Sequence, residues 1–161
     1  MPSDLSKITH PSLYEINTWP WLAAISRNEG TAIDLGSVPD RYWAEIADLG
    51  FDAVWLMGVW RRSPAGVAIA LSNDNLRASF GEALPDWQEG DVVGSPYCVR
   101  GYVVDDHFGG PGGLASAREA LAARGMGLIL DFVPNHVAPD HPWATLEPEV
   151  FVSGSTADLE R

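Results

Sequence analysis

The fold of this chain is decided by the stretch Gly127-Leu128-Ile129-Leu130-Asp131-Phe132-Val133-Pro134-Asn135-His136. Its first six residues form an almost uninterrupted apolar run, which is typical of a strand buried on both faces of a parallel sheet. Pro134 ends the run, because proline has no backbone N–H to donate to a neighbouring strand. Asp131 is the exception, since a carboxylate is costly to bury unless hydrogen bonds or an opposite charge compensate it. The stretch therefore predicts a buried strand that ends in a polar site.

Two earlier segments also predict strands. Residues 12–17 alternate apolar and polar side chains, as in a short strand, and the apolar run at 52–58 is typical of a second buried strand. A longer segment separates this second strand from the third. Within it, residues 63–84 predict one or two short helices and residues 86–93 predict a loop or a weak strand.

Helices are predicted between the strands. Apolar residues recur at helical spacing over 38–49, with Ser37 as the expected N-cap and Asp40 completing a capping box. The glycine cluster at 109–113 predicts a hinge before another helix that ends at Gly125. The resulting βαβαβ order predicts an α/β fold with a parallel sheet.

Both a doubly wound sheet and a (β/α)8 barrel begin with this order of elements. A nucleotide-binding sheet usually carries a glycine-rich turn after its first strand. Here the first strand leads into Thr18-Trp19-Pro20-Trp21, which contains no glycine. A nucleotide-binding α/β domain is therefore the disfavoured alternative.

Composition restricts the class of partner. The 161 residues suit one domain, and a net charge of −12 disfavours nucleic acid and anionic membrane surfaces as partners. No apolar run is long enough for a membrane helix, and Met1–Lys7 lacks the apolar core of a secretory signal. Cys98 is the single cysteine, and we expect a buried free thiol. These features predict a cytoplasmic location.

Chemistry is expected at the carboxyl ends of the strands, where ligands bind in barrels and in open parallel sheets. The third strand has the most polar end. Asn135 offers an oxygen that suits a hard cation, and His136 offers a donor for a hydroxyl or a carboxylate.

At this point the segment 131–136 resembles the first signature region of the α-amylase family, glycoside hydrolase family 13, in which an Asp ends the third barrel strand and Asn-His follows. The likeness runs in order from Leu13 to Val152. It includes the following segments: Leu13-Tyr14-Glu15-Ile16 as the first strand, Leu49 to Leu56 as the approach to the second, Ser95-Pro96-Tyr97, Tyr102, Asp105 to Gly109, and His141-Pro142-Trp143.

The resemblance implies that residues 1–161 form the N-terminal part of a (β/α)8 barrel, covering its first three strands, with the remainder expected C-terminal to Arg161. It also implies hydrolysis or transfer of α-glucosidic linkages in α-glucans or maltooligosaccharides with retention. Retention uses two carboxylates about 5 Å apart. In the family they follow the fourth and fifth strands, so we expect no catalytic residue in this chain and no activity of the chain alone.

The resemblance assigns the substrate-binding rim instead. His136 would hydrogen-bond a glucosyl unit, Tyr97 would stack beneath its ring, and Asp131 would order the strand end at the substrate. Asn135 matches a position that ligates calcium in many members, so calcium is the one cofactor considered.

Tryptophan is abundant, with seven residues. Trp43 and Trp55 lie on apolar faces and are predicted to be core residues. Trp19, Trp21 and Trp60 lie near strand ends, where packing and sugar stacking both remain open.

Two alternatives share most of these features. One is a transglycosylase or isomerase of the same family. The other is a non-catalytic carbohydrate-binding half-barrel.

Overall fold

The computed structural model describes residues 8–159. Its five strands are β1 Leu13–Asn17, β2 Ala53–Met57, β3 Trp60–Arg62, β4 Val99–Val104 and β5 Gly127–Leu130. Its seven α-helices are α1 Thr18–Glu29, α2 Asp40–Asp48, α3 Pro64–Ser72, α4 Asp74–Ala83, α5 Gly110–Ala123, α6 Trp143–Leu146 and α7 Thr156–Leu159. Three short 3-10 turns lie at Glu89–Asp91, Asp106–Phe108 and Pro148–Val150.

The main sheet is parallel and has the order β1-β2-β5. Its register pairs Glu15 with Trp55 and Trp55 with Ile129, so all three strands end at the same edge of the sheet. The predicted α/β class with a parallel βαβαβ core is confirmed, and all three predicted strands form.

One face of this sheet packs against helices to form the core. Alternation along the strands directs one set of side chains to the helices and the other set away from them. The core combines this first set with residues of α1, α2 and α5 and of the turn before α5: Tyr14, Ile16, Val54, Leu56, Leu128, Leu130, Leu22, Trp43, Ile46, Phe108, Ala117 and Leu121. The second face carries Trp55 and Met57, which stand outside this cluster. That face is where a ligand can approach the strand ends.

A second, two-stranded antiparallel sheet was not predicted. It pairs β3 with β4, and its register shifts between Trp60 and Arg61 and again between Arg61 and Arg62. β3 is only three residues long and carries two arginines, so neither length nor hydrophobic alternation signals a strand. Between β3 and β4, α3 and α4 form the two short helices that the sequence predicts, and 86–93 is irregular apart from one 3-10 turn.

Two local predictions about helix starts are wrong. The glycine cluster is not a hinge, because α5 begins at Gly110 and contains the later glycines. Ser37 does not cap α2, whose N-cap is Pro39 without a side-chain hydrogen bond. The Ser37 hydroxyl instead bonds the Asp34 carboxylate at 2.8 Å, because the chain turns there before the helix starts.

The remaining expectations concern a secretory signal, a membrane helix and the burial of Cys98. The prediction about a secretory signal concerns Met1–Lys7, which lies outside the described residues. Among residues 8–159, no helix is both long and apolar enough to cross a membrane. Cys98 is half-buried rather than fully buried, and an added Cβ at Gly66 of α3 would lie 2.7 Å from its sulfur.

Candidate functional site

Asp131 lies directly after β5 and is 7% exposed. Its Oδ1 accepts a hydrogen bond from Trp55 Nε1 at 2.7 Å, and its Oδ2 accepts one from the Gly58 N–H at 2.5 Å. Its carbonyl oxygen accepts a third from Trp60 Nε1 at 2.8 Å. These donors supply the compensation that a buried carboxylate requires. Asp131 thereby ties the end of β5 to the end of β2 and to β3.

Trp55 corrects one of the core predictions. Trp43 is buried among the helices as predicted, but Trp55 is only half-buried and lies on the face of the sheet away from the helices. Both sit in apolar sequence surroundings. The apolar run at 52–58 does not reveal that Trp55 is half-buried. A strand buried on both faces and a strand with one open face can both carry such a run.

Tyr97 stands across from the strand ends and is 39% exposed. Its hydroxyl donates to the Met57 sulfur at 3.0 Å, and its backbone N–H donates to the Ser95 hydroxyl at 3.2 Å. Desolvation raises the pKa of the Tyr97 phenol, and the negative charges of Asp131 and Glu15 raise it further. The phenol is therefore neutral at physiological pH and available as an uncharged ring.

His136 and Asn135 form the wall opposite Tyr97. His136 Nε2 lies 3.1 Å from the Tyr97 carbonyl oxygen, and its Nδ1 lies 2.9 Å from Asn135 Nδ2. A carbonyl oxygen only accepts, so Nε2 is the ring atom that donates to Tyr97, and the Asn135 amide contacts the other ring nitrogen. The Asn135 amide thus orients the imidazole, and the ring joins the two walls.

These side chains line one open cavity of about 430 Å³. Its volume lies within the range of roughly 300–1,000 Å³ that is usual for small-molecule sites. The predicted residues Tyr97, Asp131, Asn135 and His136 all contribute to it. Three lining residues were not singled out as ligand contacts from the sequence: Trp55, Phe132 and Val133. Asp131 is the one carboxylate in the lining.

The three tryptophans left open by the sequence are packing residues. Trp19 stacks on His107 with ring centroids 3.9 Å apart, Trp21 packs against Trp43, and Trp60 hydrogen-bonds the Asp131 carbonyl. None of them lines the cavity. These three tryptophans therefore contribute to the packing of the second sheet and of the core.

Arg62 is a buried cation beside this site that the sequence did not reveal. It is 9% exposed, its guanidinium lies 4.9 Å from the Trp19 ring centre, and its Nη1 donates to the Gly94 carbonyl at 2.8 Å. Desolvation lowers the pKa of Arg62, against the attraction of the Asp105 and Asp131 charges. Arg62 therefore joins the two ends of the segment that carries α3 and α4, by linking β3 to Gly94.

The His, Cys, Asp and Glu side chains of residues 8–159 form no cluster suited to a calcium ion. Calcium takes six to eight oxygen ligands. Among residues 8–159, no group of three or more His, Cys, Asp or Glu side chains is placed to hold a metal ion. The Asn135 amide contacts His136 through its nitrogen.

A protein-family model described as "Alpha amylase, catalytic domain" matches residues 41–149. The 1,4-alpha-glucan branching enzymes GlgB 1 of two strains of Xanthomonas campestris pv. campestris are 26% identical over 137 residues. That match covers 80% of this chain and 14% of the branching enzymes, so the chain spans about a seventh of these relatives.

Solved structures support the fold. An alpha-amylase from Lactobacillus plantarum is 22% identical with a TM-score of 0.58, and covers 90% of this chain and 27% of its own. An alpha-amylase from Geobacillus thermoleovorans, complexed with acarbose, is 25% identical with a TM-score of 0.55, and covers 90% of this chain and 28% of its own. The parallel strands described above are thus the first part of a (β/α)8 barrel fold.

Proposed function

The chain belongs to the α-amylase catalytic-domain family, and on that premise we propose that it forms part of an enzyme acting on α-glucosidic linkages of α-glucans or maltooligosaccharides with retention. One observation carries the proposal. Tyr97 lies 39 residues before His136 in the sequence, yet it meets Asp131 and His136 in one cavity at the carboxyl ends of parallel strands. Substrates bind at this end of (β/α)8 barrels.

The cavity suits one sugar ring. Pyranose C–H groups pack on aromatic faces, and the lining offers the rings of Trp55, Tyr97 and Phe132. The Nε2–H of His136 contacts the Tyr97 carbonyl oxygen and would donate to a sugar hydroxyl when substrate is bound. Asp131 would act on substrate mainly by keeping the strand end in place, since both of its carboxylate oxygens already accept hydrogen bonds.

The retaining chemistry needs a nucleophile and an acid/base, two carboxylates about 5 Å apart. The cavity lining contains a single carboxylate, Asp131, which is engaged with Trp55 and Gly58. We therefore assign no catalytic acid or nucleophile among the residues that line this cavity and propose that both would come from other strands of a (β/α)8 barrel. Asn135 would offer one oxygen to a calcium ion, which takes six to eight oxygen ligands. A cytoplasmic location is proposed as well, because Cys98 is the single cysteine and a reducing compartment suits an unpaired thiol.

Titration with acarbose tests the proposal. We expect the chain to bind acarbose, and His136→Ala or Tyr97→Ala to weaken binding about tenfold, equivalent to about 1.4 kcal/mol. His10→Ala is the matched control, because His10 is exposed and does not line the cavity. A wild-type chain that binds no α-glucan, or variants that bind as the control does, would refute the assignment.

Transglycosylation is the second candidate, favoured by the similarity to branching enzymes. Product analysis of the complete enzyme on a maltooligosaccharide separates the two activities, because a transferase yields longer or branched products and a hydrolase yields shorter ones. Acarbose binding without turnover by any longer form of the protein would instead favour a carbohydrate-binding half-barrel.

A further inference from the structure

We propose that Asp140 is a positioning residue for this cavity: its carboxylate fastens the segment 133–141 to the start of α3 and to β4, and so sets His136 against Tyr97. The part that concerns sugar affinity rests on the proposed function. The part that concerns His136 stands on the contacts of the chain alone.

The first step is the set of contacts that Asp140 makes. Its Oδ1 accepts a hydrogen bond of 2.5 Å from the Ser63 hydroxyl, and its Oδ2 lies 3.5 Å from the Ala65 N–H. Arg100 Nε of β4 lies 3.4 Å from the same Oδ2. One carboxylate therefore links three parts of the chain that are 35 to 77 residues apart in sequence order.

Ser63 gives this link its rigidity. Its side chain is buried, and its hydroxyl accepts from the Gly66 N–H at 2.8 Å while donating its only proton to Asp140. Ser63 is the N-cap of α3, so the hydroxyl is fixed by the first turn of the helix. A carboxylate at this end of a helix is also favoured by the helix dipole.

The ionisation of Asp140 suits its role as a hydrogen-bond acceptor. Desolvation acts to raise the pKa of Asp140, but the hydrogen bonds from the Ser63 hydroxyl and the Ala65 N–H, with the charge of Arg100, lower it overall. Asp140 is therefore ionised at neutral pH and accepts all three contacts at once.

The second step is the path of the segment that Asp140 anchors. Its start is fastened by the Tyr102 hydroxyl, which accepts from the Val133 N–H at 2.7 Å and lies 3.1 Å from the Val133 carbonyl oxygen. Further along, the Ala138 N–H donates to the Val99 carbonyl at 3.1 Å. Asn135 and His136 are exposed between these points. Among the described residues, Asp140 thus adds a side-chain anchor to the backbone hydrogen bond by which the buried Ala138 fixes the C-terminal side of the loop to β4.

The third step is the consequence for the cavity. Tyr97 precedes β4 and forms one wall, while His136 forms the other. Asp140 contacts β4 through Arg100, and it contacts the start of α3 through Ser63. The relative position of the two walls therefore depends on a residue that does not line the cavity, and α3 is coupled to it.

Variants of Asp140 in the full chain test this inference by two readouts. The first is the NMR signals of the His136 ring nitrogens, which report the hydrogen bonds of the ring, and the second is the dissociation constant for acarbose. We expect Asp140→Ala to shift the ring signals away from their wild-type positions and to weaken acarbose binding about tenfold, as displaced positioning groups do. Asp140→Asn keeps an oxygen for Ser63 but loses the charge facing Arg100, so it should restore much of both readouts.

Asp158→Ala is the matched control, because Asp158 accepts from the Ser155 hydroxyl at 2.7 Å and lies outside the cavity lining. It should leave both readouts unchanged. A folded Asp140→Ala variant with wild-type His136 signals overturns the inference, and if that variant does not fold, unchanged signals in Ser63→Ala overturn it. If the wild type binds no acarbose, the proposed function fails, while the His136 signals still decide the role of Asp140.

Discussion

Gly58 illustrates at the residue scale how closely the strand ends are packed. Its φ is +79°, a conformation that L side chains rarely adopt, and its N–H donates to Asp131. A Cβ at this position would lie 2.6 Å from the Pro96 Cβ and 3.1 Å from Arg62 Nη2. The glycine is required both by the backbone conformation and by the approach of the segment that leads to Tyr97.

Replacement of Gly58 by alanine separates these two causes when it is compared with Gly50→Ala. Gly50 has φ +80° with no atom within 4 Å of an added Cβ, so its substitution costs only the backbone strain, about 1–2 kcal/mol. We expect Gly58→Ala to lower the free energy of unfolding by about 1–3 kcal/mol more, because the extra methyl overpacks the site. Urea denaturation of both variants measures the difference. Equal losses would show that Pro96 yields freely.

At the element scale, α5 shows why a glycine cluster can belong inside a helix. A Cβ on Gly113 would lie 2.4 Å from the Phe108 carbonyl oxygen and 3.3 Å from the Gly36 nitrogen. The helix can therefore pack directly on the backbone of the preceding turn and of residue 36. Gly112, one position earlier, has no atom within 4 Å of an added Cβ. The same helix thus contains one glycine needed for packing and one that is not.

These neighbours form an internal pair for mutagenesis. Gly112→Ala should raise the free energy of unfolding by up to about 1 kcal/mol, because alanine has the higher helix propensity. Gly113→Ala should lower it by at least about 1 kcal/mol, because either α5 or the Phe108 turn must move. Thermal and chemical unfolding would measure both changes. A stabilised Gly113→Ala variant would contradict the described packing of α5.

A pH-sensitive contact joins the beginnings of two elements. The Asp52 carboxylate before β2 accepts from the Ser12 N–H at 2.7 Å and from its hydroxyl at 2.8 Å, just before β1. The backbone bond, and then the hydroxyl bond, lower the pKa of Asp52. A carboxyl with a lowered folded-state pKa stabilises the fold above its unfolded-state pKa of about 3.9, and this stability is lost as the pH falls through the folded-state value.

We therefore expect Asp52→Asn to be less stable than the wild type at neutral pH, with a difference that shrinks as the pH falls below about 4. Urea unfolding at a series of pH values measures this difference. Asp86→Asn removes one negative charge from an exposed position on another segment and serves as the control. A constant difference between Asp52→Asn and wild type down to the acid range would assign the effect to geometry instead of ionisation.

At the scale of the whole molecule, the three-stranded sheet has open boundaries within residues 8–159. β1 and β5 are its edge strands, and no further strand pairs with their outer sides among the described residues. On the face away from the helices, Leu13 is 46% exposed. A barrel closes such a sheet with further strands. The described part of the chain therefore presents both unpaired backbone groups and apolar surface.

We expect a purified chain of residues 1–161 to associate as its concentration rises, because unpaired edges and apolar faces promote pairing between chains. Light scattering measures the mass. Leu13→Lys should reduce association by placing a charge on the edge strand, while Leu146→Lys, 72% exposed outside the sheet, should not. A mass that stays monomeric at every concentration would contradict this prediction.

Local patterns sufficed for the three parallel strands, the helices between them and the polar end of β5. Hydrophobic runs and helical spacing are properties of residues that are close in sequence. The segments around Val54 and Leu128 therefore predict strands whatever the rest of the fold is. The cost of burying a carboxylate also predicts from sequence alone that Asp131 must have partners.

The identity of those partners was decided only by the tertiary structure. Trp55 and Gly58 lie 76 and 73 residues before Asp131, and Ser63 lies 77 residues before Asp140. Contacts at such separations depend on the path of the whole chain, which local spacing does not encode. For the same reason the β3–β4 pairing and the open face of Trp55 appear only in three dimensions. The sequence by itself determined that the strand at 127–130 ends in a polar site, and the fold decided which residues complete it, because only the parallel sheet brings those strand ends to one edge.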